Sequence, residues 1–258
     1  DFDPELIVDL HHNLRTRILR TQIGGKWSAF KKLNIEKWLK VNLKLDRLPN
    51  QHVVDRYMET LVEFDVLSDG KGLDFFIPAK FNPPSVPKGL ENGYVALVIG
   101  AKYLTKQLPL EKLVEICDGV GNPVILIGGK EDRLIGSEVE TASTNTVYNA
   151  CGECDLLGSA WFIKKAEMVI THDTGMMHIA AAFKKKVISV WGNTIPQFGM
   201  YPYMPDSPNN YFISEVSGLN CRPCSKIGFS KCPKGHFDCM QKQDTAAILQ
   251  RADQFKKS

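Results

Sequence analysis

One stretch constrains the fold more than any other. Residues 168–170 and 187–191 are short β-prone runs, and the Ala- and Ile-rich segment between them reads as a helix ending in the basic turn 184–186. A strand, a helix and a second strand in quick succession form half of an open α/β sheet. The loop leaving the first strand, Asp173-Thr174-Gly175, therefore sits at the carboxyl ends of the strands, where such sheets bind ligands. Asp173 or Thr174 can cap the helix and Gly175 permits close backbone approach. The unspent amides through Met176 then face an incoming anion.

The same alternation runs back to residue 94. Strands are expected at 94–99, 123–127 and 146–150, with helices at 108–117, 131–142 and 156–166. The series predicts a mostly parallel sheet with helices on both faces. A last or edge strand at 211–214 and a terminal helix at 244–255 complete it. Pro83, Pro84 and Pro87 with two glycines make 81–93 a linker, which divides the chain into residues 1–85 and 86–258. In the first part, residues 6–10 read as a buried strand and 14–22 as a basic helix. Residues 24–50 show no clean period, and 53–66 has helical spacing.

The 258 residues are 43% hydrophobic, enough for substantial cores. The net charge of +3, without basic patches interleaved with aromatics, argues against nucleic acid. No run approaches the roughly 20 apolar residues of a membrane span. The seven cysteines follow no disulfide framework, so a reducing cytosol is the simpler expectation. The chain starts without Met, as a fragment or trimmed form would.

Several side chains compete for chemical roles. Lys106, in the loop after the first strand of the second part, is either a surface lysine or a point charge for a phosphate. Glu131, after Gly128-Gly129, either accepts ribose hydroxyls or opens a helix as an acidic first turn. Asp173 would repel a phosphate, so it suits a cap or a hydroxyl ligand. His178 either reaches the same mouth or sits satisfied in a helix interface, and His172 reads as scaffold. Asn193 and Thr194 either line a pocket or make a plain turn. Cys221, Cys224, Cys232 and Cys239 have partly ligand-like spacing for zinc, with His236 competing for the last place, but read more simply as free thiols. Cys151 and Cys154 have redox-pair spacing without the matching context.

With these loops aligned, the chain resembles the heptosyltransferase-like glycosyltransferase family of lipopolysaccharide core assembly. Residues 173–182 (DTGMMHIAAA) look like its signature, and 187–196 like the strand and loop that follow. Residues 101–109 resemble its conserved-lysine segment, 127–132 its ribose-binding segment, 221–240 its cysteine-bearing tail, and 3–16 its last N-domain strand and turn. The resemblance implies a GT-B-like α/β fold: a Rossmann-like nucleotide-sugar-binding domain preceded by part of a second Rossmann-like domain. It implies inverting transfer of a heptose or related sugar from an ADP-heptose-like donor to a lipopolysaccharide core or other glycan, without a cofactor. The setting it implies is the cytoplasm, with peripheral contact at the inner membrane. Lys106, Glu131, Asp173, Thr174, Gly175, Met176, His178, Asn193 and Thr194 become the donor-binding set. The loop bearing the family's proposed catalytic Asp has no counterpart here, which leaves His11 as the nearest substitute. The rival expectations are a non-catalytic nucleotide-sugar-binding module and a two-domain nucleotide-sugar epimerase.

Overall fold

The computed structural model describes residues 3–257. Its first part opens with a parallel pair, β1 (Leu6–Asp9) and β2 (Lys26–Ala29), connected through α1 (Leu14–Gln22). Asn13 starts α1 with reciprocal bonds: its Oδ1 accepts the Thr16 amide and its own amide donates to Thr16 Oγ1, each at 3.0 Å. Helices α2 (Asn34–Asn42) and α3 (Val53–Met58) follow, the latter continuing as a 3-10 helix over Glu59–Phe64. Order therefore exists within 24–50, where no period is legible: β2 and α2 lie there, and no residue of α2 is buried. Residues 65–94 form neither helix nor strand, which spans the expected linker.

The second part alternates throughout. Strand β3 (Val95–Val98) leads to α4 (Leu110–Gly119), β4 (Val124–Ile127), α5 (Arg133–Ala142) and β5 (Val147–Asn149). Then come α6 (Leu156–Lys165), β6 (Met168–His172), α7 (Gly175–Ala182), β7 (Lys186–Trp191) and β8 (Tyr211–Glu215). The short α8 (Asp238–Gln241), unforeseen in the cysteine-bearing tail, precedes α9 (Thr245–Lys257).

The strands form one parallel sheet in the order β5-β4-β3-β6-β7-β8, with β8 at its edge as expected. Both faces are covered, so the central strands are continuous apolar runs such as Val-Ala-Leu-Val and Val-Ile-Leu-Ile. Alternate side chains feed two cores. Val95 and Leu97 pack with Leu113 and Ile116 of α4 and Ile248 of α9, whereas Ala96 and Val98 pack with Ile163 of α6 and Met177 of α7.

From β3 the chain winds outward through β4 and β5, and from β6 it winds the other way. The strand order thus reverses between β3 and β6, and the loops leaving these two strands face one crevice. The first part docks beside it. His52 at the start of α3 bonds through Nε2 to Tyr201 O at 2.8 Å, and the Val53 amide donates to Gly199 O at 2.7 Å. Arg56 of α3 is buried and donates to Lys31 O and Phe198 O.

Candidate functional site

The two loops at the switch point meet through an ion pair. Lys106 Nζ donates to Asp173 Oδ2 at 2.6 Å and to Asp173 O at 3.2 Å, with both side chains largely shielded. Thr194, in the loop after β7, donates its hydroxyl to the same Asp173 oxygen at 2.9 Å. The loops leaving three neighbouring strands, β3, β6 and β7, are tied together at one carboxylate.

This arrangement corrects the capping expectation. Thr174 holds the N-cap position of α7, but its side chain makes no capping bond, and Asp173 is turned to Lys106 and Thr194. The Met177 amide donates to Thr174 O at 3.2 Å, and the Gly175 and Met176 amides are left without a side-chain acceptor. Gly175 is open: no heavy atom lies within 4 Å of where a Cβ would stand. A helix start whose Gly175 and Met176 amides lack a side-chain acceptor, close to an ammonium group, has the dipole and donors that suit an anion.

Two cavities flank this point. The first, about 570 Å³, is lined by Lys102, Glu131, Leu156, Thr174, Gly175 and Ile179 among others. The second, about 580 Å³, takes Lys106, Asp173, His178, Thr194, Phe198 and Lys226 into its wall. Lys102, Thr174 and Gly175 belong to both. The pair of cavities makes a trough with its cationic, amide-rich point in the middle.

Asp132, absent from the expected set, builds the first cavity from behind. It is buried, its Oδ2 accepts the Gly129 amide at 2.8 Å, and its Oδ1 accepts from Gln107 Nε2 at 3.3 Å. Burial raises its carboxyl above the ordinary value. Gly100 packs directly on it: a Cβ there would stand 2.2 Å from Asp132 Oδ2. The loops after β3 and β4 are thus pinned together, leaving Glu131 exposed on the cavity wall. The acid three residues beyond Gly129 was the signal available in the sequence.

The remaining expected residues divide. His178 lines the second cavity, and burial lowers its pKa, favouring neutral imidazole. Asn193 does not line either cavity; it is 1% exposed, and its side-chain amide has no hydrogen-bond partner among the described residues. Its main chain runs beneath the tail, accepting the Cys224 amide at 3.0 Å, so it is packed under the loop and is no part of the wall. His11 lies exposed next to Asn13 and lines neither cavity. The tail itself contributes to the site through Lys226 and Ile227, which the cysteine spacing masks.

All seven cysteines are unpaired. Among the described residues no three His, Cys, Asp or Glu side chains gather as a metal-holding group. Cys221 Sγ lies 3.8 Å from His236 Nε2, while burial pushes Cys239 up to about 12 and Cys224 up to about 11. Cys151 is likewise raised to about 12 by burial, which suits a packed thiol and not a redox nucleophile.

Two further histidines, away from the cavities, are held neutral by burial. His172 accepts the Leu108 amide on Nε2 at 3.0 Å and is lowered to about 3, a scaffold role as expected. His52 accepts the Val54 amide on Nδ1 at 3.1 Å, which puts its proton on Nε2, donating to Tyr201 O. It stacks on Tyr203 and is lowered to about 4. Below about pH 6.5 the unfolded chain takes up protons at both rings and the folded chain does not. Stability should therefore fall as pH drops from about 6.5 toward 4, by roughly 2 kcal/mol per histidine at about pH 5. Urea melts at pH 7 and pH 5 check this. His52→Gln should be weaker at pH 7 yet lose less on acidification, and an unchanged pH dependence in that variant would contradict the neutral, buried ring.

Among the described residues no helix is long and apolar enough to cross a membrane. The family model for glycosyltransferase family 9 (heptosyltransferase) matches residues 8–230. Lipooligosaccharide heptosyltransferase 2 of Haemophilus influenzae is 33% identical over 91 residues, 34% of this chain and 26% of that protein. Lipopolysaccharide heptosyltransferase 2 of Escherichia coli K12 is 31% identical over 83 residues, 30% of this chain and 24% of that protein. The matched segments thus span about a quarter of these curated relatives. Among solved structures, a family 9 glycosyl transferase from Veillonella parvula superposes with a TM-score of 0.70 at 16% identity, over 100% of this chain and 75% of that one. The E. coli heptosyltransferase WaaC with ADP gives 0.62 at 18% identity, over 98% and 73%. These superpositions bear out the α/β, GT-B-like fold with its parallel sheet and alternating helices.

Proposed function

We propose, since the chain belongs to glycosyltransferase family 9, the heptosyltransferase family, that it seats the donor of an inverting sugar transfer in the trough across the Asp173 loop. The donor is an ADP-activated heptose or a related nucleotide sugar, and the acceptor is a lipopolysaccharide core or similar glycan. The observation that carries this reading is the meeting of Lys106 with the uncapped start of α7 at the junction of two cavities. The adenosine occupies the first cavity, with Ile127, Leu156 and Ile179 as apolar walls and Glu131 at the ribose. The sugar occupies the second.

In the reaction an acceptor hydroxyl oxygen attacks the anomeric carbon, the bond from that carbon to the diphosphate breaks, and the nucleotide leaves with the electron pair. Negative charge grows on the leaving phosphate. Donors already fixed there, the Lys106 ammonium and the Gly175 and Met176 amides, stabilise that charge without reorganising. Thr194 and Asp173 keep Lys106 in place.

The attacking hydroxyl must also lose a proton. Among the described residues lining the second cavity, Asp173 and His178 offer the basic atoms, and Asp173 is engaged by Lys106 and Thr194. That leaves His178, whose neutral ring can accept the proton; the rival reading is a chain that binds nucleotide sugar without transferring it. Calorimetric titration with ADP, UDP and GDP tests the binding, and mass-spectrometric detection of transferred sugar separates the two readings. ADP is expected to bind most tightly; absence of nucleotide binding contradicts both.

Glu131 gives a sharper check. Glu131→Ala should weaken ADP about tenfold, in the range of a hydrogen bond to a charged acceptor. The wild type should discriminate against 2′-deoxy-ADP while the variant does not. Equal discrimination by both would remove Glu131 from the ribose.

A further inference from the structure

The cysteine-bearing tail grips the loop after β7 through a single turn, Cys221-Arg222-Pro223-Cys224. Arg222 donates through Nε to Gly192 O at 2.5 Å and through Nη2 to Thr194 O at 2.8 Å, and the Cys224 amide donates to Asn193 O at 3.0 Å. Three consecutive carbonyls are thus held by four residues. Thr194 in turn donates its hydroxyl to Asp173, the partner of Lys106. From the other side Lys44 Nζ donates to Cys221 O at 3.2 Å and to Pro223 O at 2.8 Å. Any change in the shape of this turn reaches the donor cavity through Thr194.

Two thiols sit at the ends of the turn. The Cys224 thiol donates to Cys221 O at 3.0 Å. Burial first, then the charge and hydrogen bond of the neighbouring Cys221 sulfur, raises Cys224. The two sulfurs therefore face each other without being bonded, and both residues are partly exposed, within reach of a small reagent. On its outer side Cys221 Sγ lies 3.8 Å from His236 Nε2. The Asp238 amide donates to His236 Nδ1 at 3.0 Å, which leaves the neutral ring's proton on Nε2, facing that sulfur. Cys221 has a hydrogen-bond donor in front of it and a second thiol behind it. Once Cys221 is bonded to another sulfur it carries no charge, so its share of the rise at Cys224 is lifted at the moment Cys224 must attack.

We infer that Cys221 and Cys224 form a thiol–disulfide exchange site whose oxidation loosens the donor seat. The oxidant is a small disulfide such as oxidised glutathione. The Cys221 sulfur, its proton lost to solvent, attacks one sulfur of that reagent; the reagent's S–S bond breaks and one thiolate leaves with the electron pair. The Cys224 sulfur, deprotonated in the same way, then attacks Cys221 Sγ in the mixed disulfide and expels the second thiolate. Two protein thiols are oxidised, the reagent is reduced by two electrons, and the two protons end on the released thiols. Bonding draws the sulfurs to about 2 Å. It removes the Cys224 bond to Cys221 O and shifts Arg222, which stands between the two cysteines, off Gly192 O and Thr194 O. The effect on nucleotide rests on the donor reading above.

The protein is equilibrated with oxidised glutathione, then with dithiothreitol, and each form is examined by peptide mass mapping and by calorimetry with ADP. Most molecules should carry a Cys221–Cys224 link after oxidation and bind ADP tenfold or more weakly, with full recovery on reduction. Cys221→Ser should form no such link, bind ADP within twofold of the reduced wild type and lose the response to oxidant. A mixed disulfide that goes no further, a link between other cysteines, a link that leaves ADP affinity unchanged, or a response that survives in Cys221→Ser would overturn the site. Failure of the reduced protein to bind ADP counts against the donor reading alone, because the amide shifts of residues 192–194 read the same event without nucleotide. Those shifts should move on oxidation, and unchanged shifts in the linked protein would overturn the coupling.

Discussion

Lys106→Ala should lower ADP affinity by a factor on the order of 10² to 10³. Two losses act in the same direction. The substitution deletes a charge-assisted bond to the leaving phosphate, about 1.5–3 kcal/mol. It also strips Asp173, whose side chain is 11% exposed, of its counter-charge at 2.6 Å, so a carboxylate now faces the diphosphate. Asp173→Asn in the same background removes that repulsion and should recover part of the affinity, giving a coupling energy in the double-mutant cycle. Lys106→Arg keeps the charge but not the compact head group, and should fall between. Calorimetry with ADP reads the wild type, Lys106→Ala, Asp173→Asn, their double variant and Lys106→Arg. Unchanged affinity in Lys106→Ala would remove the residue from the donor site.

The second large effect is on stability. Arg222 in the tail is 7% exposed and fastens the loop that carries Thr194. Its guanidinium donates to Gly192 O at 2.5 Å, to Thr194 O at 2.8 Å and to Glu215 Oε2 at 2.6 Å, with a longer bond to Val216 O at 3.3 Å. Arg222→Ala leaves these acceptors without their donor, and breaking such a pair costs about 3–5 kcal/mol. For a chain of this size that corresponds to a Tm lower by roughly 10 °C. Because Thr194 holds Asp173, the variant should also bind ADP more weakly at temperatures where it is folded. Arg222→Lys restores one charge but not the fork of donors, so it should recover only part of the loss. A Tm within about 2 °C of wild type would mean that the loop is held by other means.

The parallel sheet was legible because its strands are buried on both faces. Runs such as residues 124–127 have no polar alternation to blur them, and the helices between them carry a clear apolar stripe. Residues 24–50 were opaque for the opposite reason. Helix α2 buries none of its residues, and Ile35 and Trp38 remain exposed, so no core-facing period reaches the sequence. The position of the Asp173 loop followed from chain order, but its chemistry did not. Lys106 and Asp173 are 67 residues apart and meet only because β3 and β6 are neighbours in the sheet. Sequence reasoning therefore gave Asp173 a capping role that the ion pair takes away. Asn193 and Thr194 were indistinguishable as adjacent polar residues. The strand end turns one into the cavity and the other beneath the tail. His52 left no trace beyond a helix start, because its importance lies in a bond to Tyr201, 149 residues away.

The central claim is that the nucleotide diphosphate lies across the start of α7. Amide chemical shifts recorded during titration of ADP into the wild-type chain test it most directly. Saturable shifts are expected at Gly129, Thr174, Gly175 and Met176, with little change along α9. Saturable binding whose shifts leave 174–176 untouched, or no binding at millimolar ADP, would contradict it.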